Sequence, residues 1–156
     1  MKTYPRRLVL GLMFAGLAGC GRREDRDEAT LRKGLYPNET PQLRRLINRY
    51  ADEYDVPVAL VQRVILRESN HIPGARNGPY YGLMQILPET AQTMGYRGSA
   101  QGLLDAETNL KYAVKYLRGA WLLSNGSHDR AVMWYSKGYY YEAKRRGMLR
   151  QTGLRG

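Results

Sequence analysis

The chain has 156 residues, 43% of them hydrophobic and 25% charged, which is the mix of one globular domain rather than of a disordered or collagen-like chain. Its net charge is +11, and its single cysteine and two histidines exclude an intrachain disulfide and argue against a Cys/His zinc site. Thirteen tyrosines stand against one phenylalanine. A tyrosine joins a flat apolar face to a polar tip, which suits a groove for a polar polymer as well as a core close to the surface.

Lys2, Arg6 and Arg7 open the chain, and Leu8 to Leu17 is an uninterrupted apolar run. It is too short to span a bilayer, which takes about 20 residues. Positive start, short apolar run and small residues together read as a secretory signal over residues 1–19. The run ends Leu17-Ala18-Gly19-Cys20, and this tetrapeptide resembles the bacterial lipobox, which implies that Cys20 is lipidated and becomes the N-terminus. Gly21 to Lys33 is dense in charge with almost nothing to bury, so residues 20–39 are expected to form a charged tether. The positive excess suits nucleic acid or an anionic surface. Export weighs against nucleic acid and points to an envelope polymer, while solubility alone is the other reading of the charge.

The rest reads as short helices. Thr40-Pro41 is a capped start followed by Leu43, Leu46, Ile47 and Tyr50 on one face. Asp55 and Pro57 start a second helix through Val58, Leu60, Val61, Val64 and Ile65. Residues 72–81, with Pro73, Gly74, Asn77, Gly78 and Pro79, are expected as loop. Pro88 opens a short helix ended by Gly95. Asp105 caps a longer one that carries Leu110, Val114, Leu117 and Trp121 and stops at Asn125-Gly126. Asp129 is expected to cap another through Val132, Met133 and Tyr135, and a last piece runs from Tyr139 to Arg146. No stretch alternates as a strand does, and no internal repeat is present. The expectation is a mostly α, small single-domain fold over residues 40–147, followed by a basic tail at 148–156.

One carboxylate stands out. Glu68 follows Val64 by four, Ile65 by three and Val61 by seven, which places it on the apolar face near the end of the second helix. Burial and the negative end of the helix dipole both disfavour its ionised form, and a carboxyl that keeps its proton near neutral pH can serve as a general acid. A Glu at a frayed helix end, turned to water, is the other reading of the same position.

Downstream of Glu68-Ser69 comes Gly82-Leu83-Met84-Gln85, then Pro88-Glu89-Thr90-Ala91. Thr108-Asn109-Leu110 with Tyr116-Leu117 and Ala131-Val132-Met133-Trp134-Tyr135 follow in order. In these segments the chain resembles the soluble lytic transglycosylase family of bacterial murein enzymes, with its goose-lysozyme-like fold, over roughly Leu43 to Gly147. The sequence departs from the family pattern at Ser136, where Asn is usual, at His71 and Ile72, in the loop Asn77-Gly78-Pro79-Tyr80-Tyr81, and at Leu87.

The resemblance implies a lysozyme-like substrate groove and cleavage of the bond between N-acetylmuramic acid and N-acetylglucosamine without water, giving a 1,6-anhydro end. Glu68 would be the single acid and base, with Tyr135 holding it through a phenol hydrogen bond. Ser69, Gly82, Met84, Gln85, Asn109 and Ser136 would line or contact the sugar, though Ser69 can equally finish its helix, Gln85 satisfy buried backbone and Met84 fill the core. No cofactor or metal is implied. The implied partners are peptidoglycan strands and a membrane reached through a lipid anchor, outer rather than inner, with the domain in the periplasm. A hydrolytic muramidase on the same fold and a weakly active murein-binding lipoprotein that scaffolds a secretion or conjugation machine are the alternatives. Asp105 and Glu107 are expected to be structural. The Tyr139-Tyr140-Tyr141 run, with Lys144, Arg145 and Arg146, is expected either to extend the groove or to form a solvated basic helix with one tyrosine turned inward.

Overall fold

Thr40 caps helix α1 (Pro41–Glu53) by accepting from the Leu43 amide, and the proline at the first turn gives up no hydrogen bond there. Leu43, Ile47, Tyr50 and Ala51 are the face that α1 buries. The computed structural model describes residues 34–155, so the signal, Cys20 and most of the charged tether lie outside the described residues. Helix α2 (Val58–Ser69) follows, but Pro57 takes the N-cap position and no side chain caps it; Asp55 instead adopts a left-handed turn. Next come a hairpin, β1 (Arg76–Asn77) and β2 (Tyr80–Tyr81), and a short helix α3 (Pro88–Thr93). A 3-10 turn at Ala100–Leu104, α4 (Ala106–Leu123), α5 (His128–Lys137) and α6 (Tyr140–Arg145) complete the order.

The protein is mostly helical, as its periodicity predicts, with two local corrections. The loop expected at 72–81 contains an antiparallel pair, Arg76 opposite Tyr81 and Asn77 opposite Tyr80, closed by Gly78-Pro79. Two residues per strand are too few to show an alternating pattern. Helix α5 is capped by Ser127, which accepts from the Arg130 amide, while Asp129 lies in the first turn, where its charge suits the helix dipole.

Helix α4 is the centre of the core. Leu110, Ala113, Val114, Leu117, Ala120 and Leu123 are fully buried, and α1, α3, the 3-10 turn and α5 all pack on it. Burying each of these leucines contributes about 1.5–3 kcal/mol. Gly119 lets Tyr139 reach the axis: a Cβ there would lie 2.2 Å from the Tyr139 hydroxyl, which donates to the Tyr116 carbonyl at 2.8 Å. Tyr139 is thus the inward member of its run, and Tyr140 and Tyr141 stay exposed.

The packed body reaches past residues 40–147 on both sides. Met148, Leu149 and Leu154 lie on the core, Thr152 is buried, and Arg118 donates to the Gln151 carbonyl. On the other side Glu39 is buried. Its carboxylate takes both arms of the Arg44 guanidinium (2.7 and 2.6 Å), the Gln62 amide (2.8 Å) and the Tyr36 backbone N–H (3.0 Å). Burial pushes the Glu39 carboxyl up, and these donors together outweigh it and hold the group below the usual range. Gln62 gives its oxygen to His71 at 2.6 Å, which fixes the proton on Nε2, and Tyr36 stacks on the ring at 5.0 Å. His71 is fully buried, and its Nδ1 has no partner among the described residues.

Candidate active site

Helix α2 ends abruptly because Asn70 and His71 are both left-handed, at φ 50° and 63°. Asn tolerates that conformation, and the buried His71 is held in it by Gln62 and Tyr36. The chain leaves the helix axis one turn after Ile65, so the last turn opens onto a cleft of about 320 Å³. Glu68 and Arg67 form one wall, Asn77, Tyr80 and Gln85 a second, and Tyr135 and Ser136 of α5 the third. Past Tyr80, Gln85 and Tyr135 the groove continues into a chamber of about 330 Å³ lined by Leu87, Thr90, Tyr116 and Lys137, among others.

Glu68 lies in the cleft, but it is not enclosed as its place on the apolar stripe suggests. Its side chain keeps 22% of its exposure and is paired with Arg67, whose Nε and Nη2 approach the same carboxylate oxygen at 3.0 and 2.7 Å. Val61, Val64 and Ile65 are buried, so the stripe is real, and Glu68 emerges at its open end.

The expected contact between Tyr135 and Glu68 is replaced by another. The Tyr135 hydroxyl donates to the Met84 carbonyl at 2.8 Å. Burial, and next the nearby Glu68 charge, raise this phenol well above its ordinary range, so it stays protonated. Tyr116 packs edge-on against its ring at 5.5 Å, and burial pushes the Tyr116 phenol up to about 12.

Four of the residues expected at the sugar do not line the cleft. Ser69 is buried and returns its hydroxyl to the Ile65 carbonyl, so it finishes its helix. Met84 has a fully buried side chain and fills the core. Asn109 is fully buried, donating to the Tyr81 and Leu103 carbonyls at 2.8 Å each and accepting from the Met84 amide at 3.0 Å. It latches the 81–84 segment to α4. Gly82, at φ 73°, is required by that latch rather than by close passage of a sugar: a Cβ there would lie 2.3 Å from Asn109 Nδ2 and 2.4 Å from the Leu103 carbonyl.

Gln85 and Ser136 do line the cleft. The Gln85 amide nitrogen is committed to the Ala75 and Gly82 carbonyls, so this side chain braces the loop while facing the groove. Ser136 donates to the Val132 carbonyl and receives Arg67 Nη2. Asp105 and Glu107 are structural as expected: Asp105 caps α4, and Glu107 pairs with Arg49 and accepts from the Tyr50 hydroxyl at 3.1 Å. Sequence reasoning missed Arg67, Tyr80 and Asn77. The signal for Arg67 was its place beside Glu68, and for Tyr80 and Asn77 their place on the hairpin hidden in the turn-rich segment.

The order of elements, the cleft and the single carboxyl at the end of α2 are what a murein-cleaving domain needs. The family model for the transglycosylase SLT domain matches residues 45–148. The chain belongs to the transglycosylase SLT family. It is a lytic transglycosylase domain of the lysozyme-like kind, and its substrate is peptidoglycan. No solved structure gave a significant match to the chain. The match runs from within α1 to just past α6, so every wall of the cleft belongs to the SLT domain.

Proposed function

We propose that the SLT cleft breaks the β-1,4 bond from N-acetylmuramic acid to N-acetylglucosamine without water, with Glu68 as the single acid and base. One observation carries this reading: among the described residues lining the cleft and its adjoining chamber, Glu68 is the one carboxyl. Hydrolysis with two carboxylates places a second one across the scissile bond, and the opposite walls here carry phenols, amides and a hydroxyl instead.

The protonated Glu68 gives its proton to the glycosidic oxygen, and the bond from that oxygen to the muramic C1 breaks. The N-acetyl carbonyl of the same sugar stabilises the positive centre at C1. Glu68, now a carboxylate, takes the proton from the C6 hydroxyl, and O6 bonds to C1. The 1,6-anhydro ring closes and the acid is regenerated. Tyr135 is a positioning residue: it lines the cleft, and its bond to the Met84 carbonyl holds the loop that presents Gln85.

Glu68→Gln keeps the shape and removes the transferable proton. It should fold like the parent, bind purified sacculi and release anhydro products at least about 10²-fold more slowly, the low end for acid–base assistance. Mass spectrometry of the released fragments decides the matter. Anhydro ends from Glu68→Gln at the parental rate exclude Glu68 as the acid, and reducing ends from the parent make the enzyme a hydrolase.

We also propose that the chain is exported and held to the outer membrane, facing the periplasm, through a lipid on Cys20. The support is the Leu-Ala-Gly-Cys sequence at the end of a short apolar run. Cys20→Ala should move the protein to the soluble fraction, and a variant that stays membrane-bound with residues 1–19 intact contradicts the anchor.

A further inference from the structure

Arg67 touches two walls of the cleft. It donates through Nε to one oxygen of Glu68 at 3.0 Å, Nη2 lies 2.7 Å from the same oxygen, and Nη2 donates to the Ser136 hydroxyl on α5. The guanidinium thus occupies one oxygen of the group that has to reach the substrate, with its own charge beside that carboxyl. Opening the pair frees that oxygen to face the glycosidic bond.

Separation is easy on this geometry. The Arg67 side chain keeps 48% of its exposure, and ion pairs open to solvent hold weakly. What draws the arginine away has to offer more than Glu68 does. The guanidinium fork matches a second carboxylate and can take it bidentately. The other titratable groups around Glu68 are phenols, Tyr80 from β2 and Tyr135 from α5, and the adjoining chamber carries Lys137. Arg67 is therefore the cation beside Glu68 in the cleft.

We propose that Arg67 is a substrate-carboxylate site that couples binding to catalysis: it leaves Glu68 for a carboxylate of the glycan strand, and Glu68 is thereby freed to face the glycosidic oxygen. This inference rests on the reading of Glu68 as the acid. Peptidoglycan offers carboxylates from two sources, the lactyl group of a muramic residue without its peptide and the free acids of the peptide stem. The chemistry that Arg67 reads is the same for both.

The test uses two pairs of substrates: stem-bearing strands before and after conversion of their carboxylates to neutral amides, and amidase-stripped strands before and after the same treatment. The parent, Arg67→Gln and Arg67→Lys are compared by kcat/KM from soluble product release. The parent should favour the charged member of at least one pair by about tenfold, the worth of one charge-assisted hydrogen bond. The pair in which the preference appears identifies the source of the carboxylate. Arg67→Gln should bring that ratio to about one, and Arg67→Lys should keep part of it. A parental ratio near one in both pairs overturns the proposal, and so does an Arg67→Gln ratio equal to the parent's, including an equal loss on both members, because Arg67 would then only prop Glu68. Anhydro product from Glu68→Gln is a separate outcome and overturns the underlying reading instead.

Discussion

Replacing Asn109 by Ala separates a structural latch from a sugar contact. Its amide serves three buried backbone groups, the carbonyls of Tyr81 and Leu103 and the amide of Met84. The residue is fully buried on α4, so bulk water does not reach these groups in the folded state. Truncation leaves all three without their partner, and one water trapped in the vacated space can rescue one of them. Two remaining groups at about 1–3 kcal/mol each put the loss near 4 kcal/mol. That is a large part of the roughly 5–15 kcal/mol that holds a domain together. Urea denaturation followed by far-ultraviolet circular dichroism measures it directly, and the transition should move to lower urea with the slope kept. At temperatures where the variant stays folded, KM for murein should change little. A stability loss under about 1 kcal/mol together with a raised KM would refute the reasoning and return Asn109 to the substrate.

Tyr135→Phe removes the hydrogen bond to the Met84 carbonyl, so it should cost about 1–3 kcal/mol of stability, readable as a lower thermal midpoint; an unchanged midpoint would show that the phenol serves Glu68 instead. Stability should also fall on mild acidification. Burial first, and Arg44 with it, hold His71 below its ordinary 6.5 despite the Glu39 charge, so below pH 6.5 the unfolded chain binds a proton that the folded chain refuses. Glu39 acts in the same direction lower down, staying ionised in the folded state while the unfolded chain protonates near its ordinary 4.5. Denaturation midpoints measured in steps from pH 7 to 5 should decline, and His71→Asn should flatten the decline above pH 5; a slope that survives the substitution assigns it to other groups.

What could be read from the sequence follows from how local each cause is. Thr40 and Asp105 announce their helices because a cap needs only the next three residues. Ser127 and Asp129 are both good oxygen acceptors two residues apart, so the sequence points to a helix start without saying which of them caps it. Glu68 could be placed because helical spacing alone brings it to the end of the Val61, Val64, Ile65 stripe. Its exposure could not, since that depends on the left-handed pair Asn70-His71, and the pair is held by Gln62 and Tyr36 from elsewhere in the chain. The same limit explains Asn109. The spacing on α4 shows that it faces inward, but not whether sugar or the 81–84 backbone waits there. Glu39 looked like one more charge of a tether because its three side-chain and backbone partners gather only in the fold.

If Cys20 carries the proposed lipid, the clasp at Glu39 limits how far the domain stands from it. Glu39 is fastened to α1 and α2, and Arg44 also holds the Gly34 carbonyl, so only the chain before Gly34 lies between the packed body and Cys20. From Cys20 to Gly34 that chain, fully drawn out at about 3.5 Å per residue, spans about 50 Å. Under that proposed anchor the Gly34 edge of the domain would stay within about that distance of Cys20, and the strands open to the cleft would be those close to the membrane.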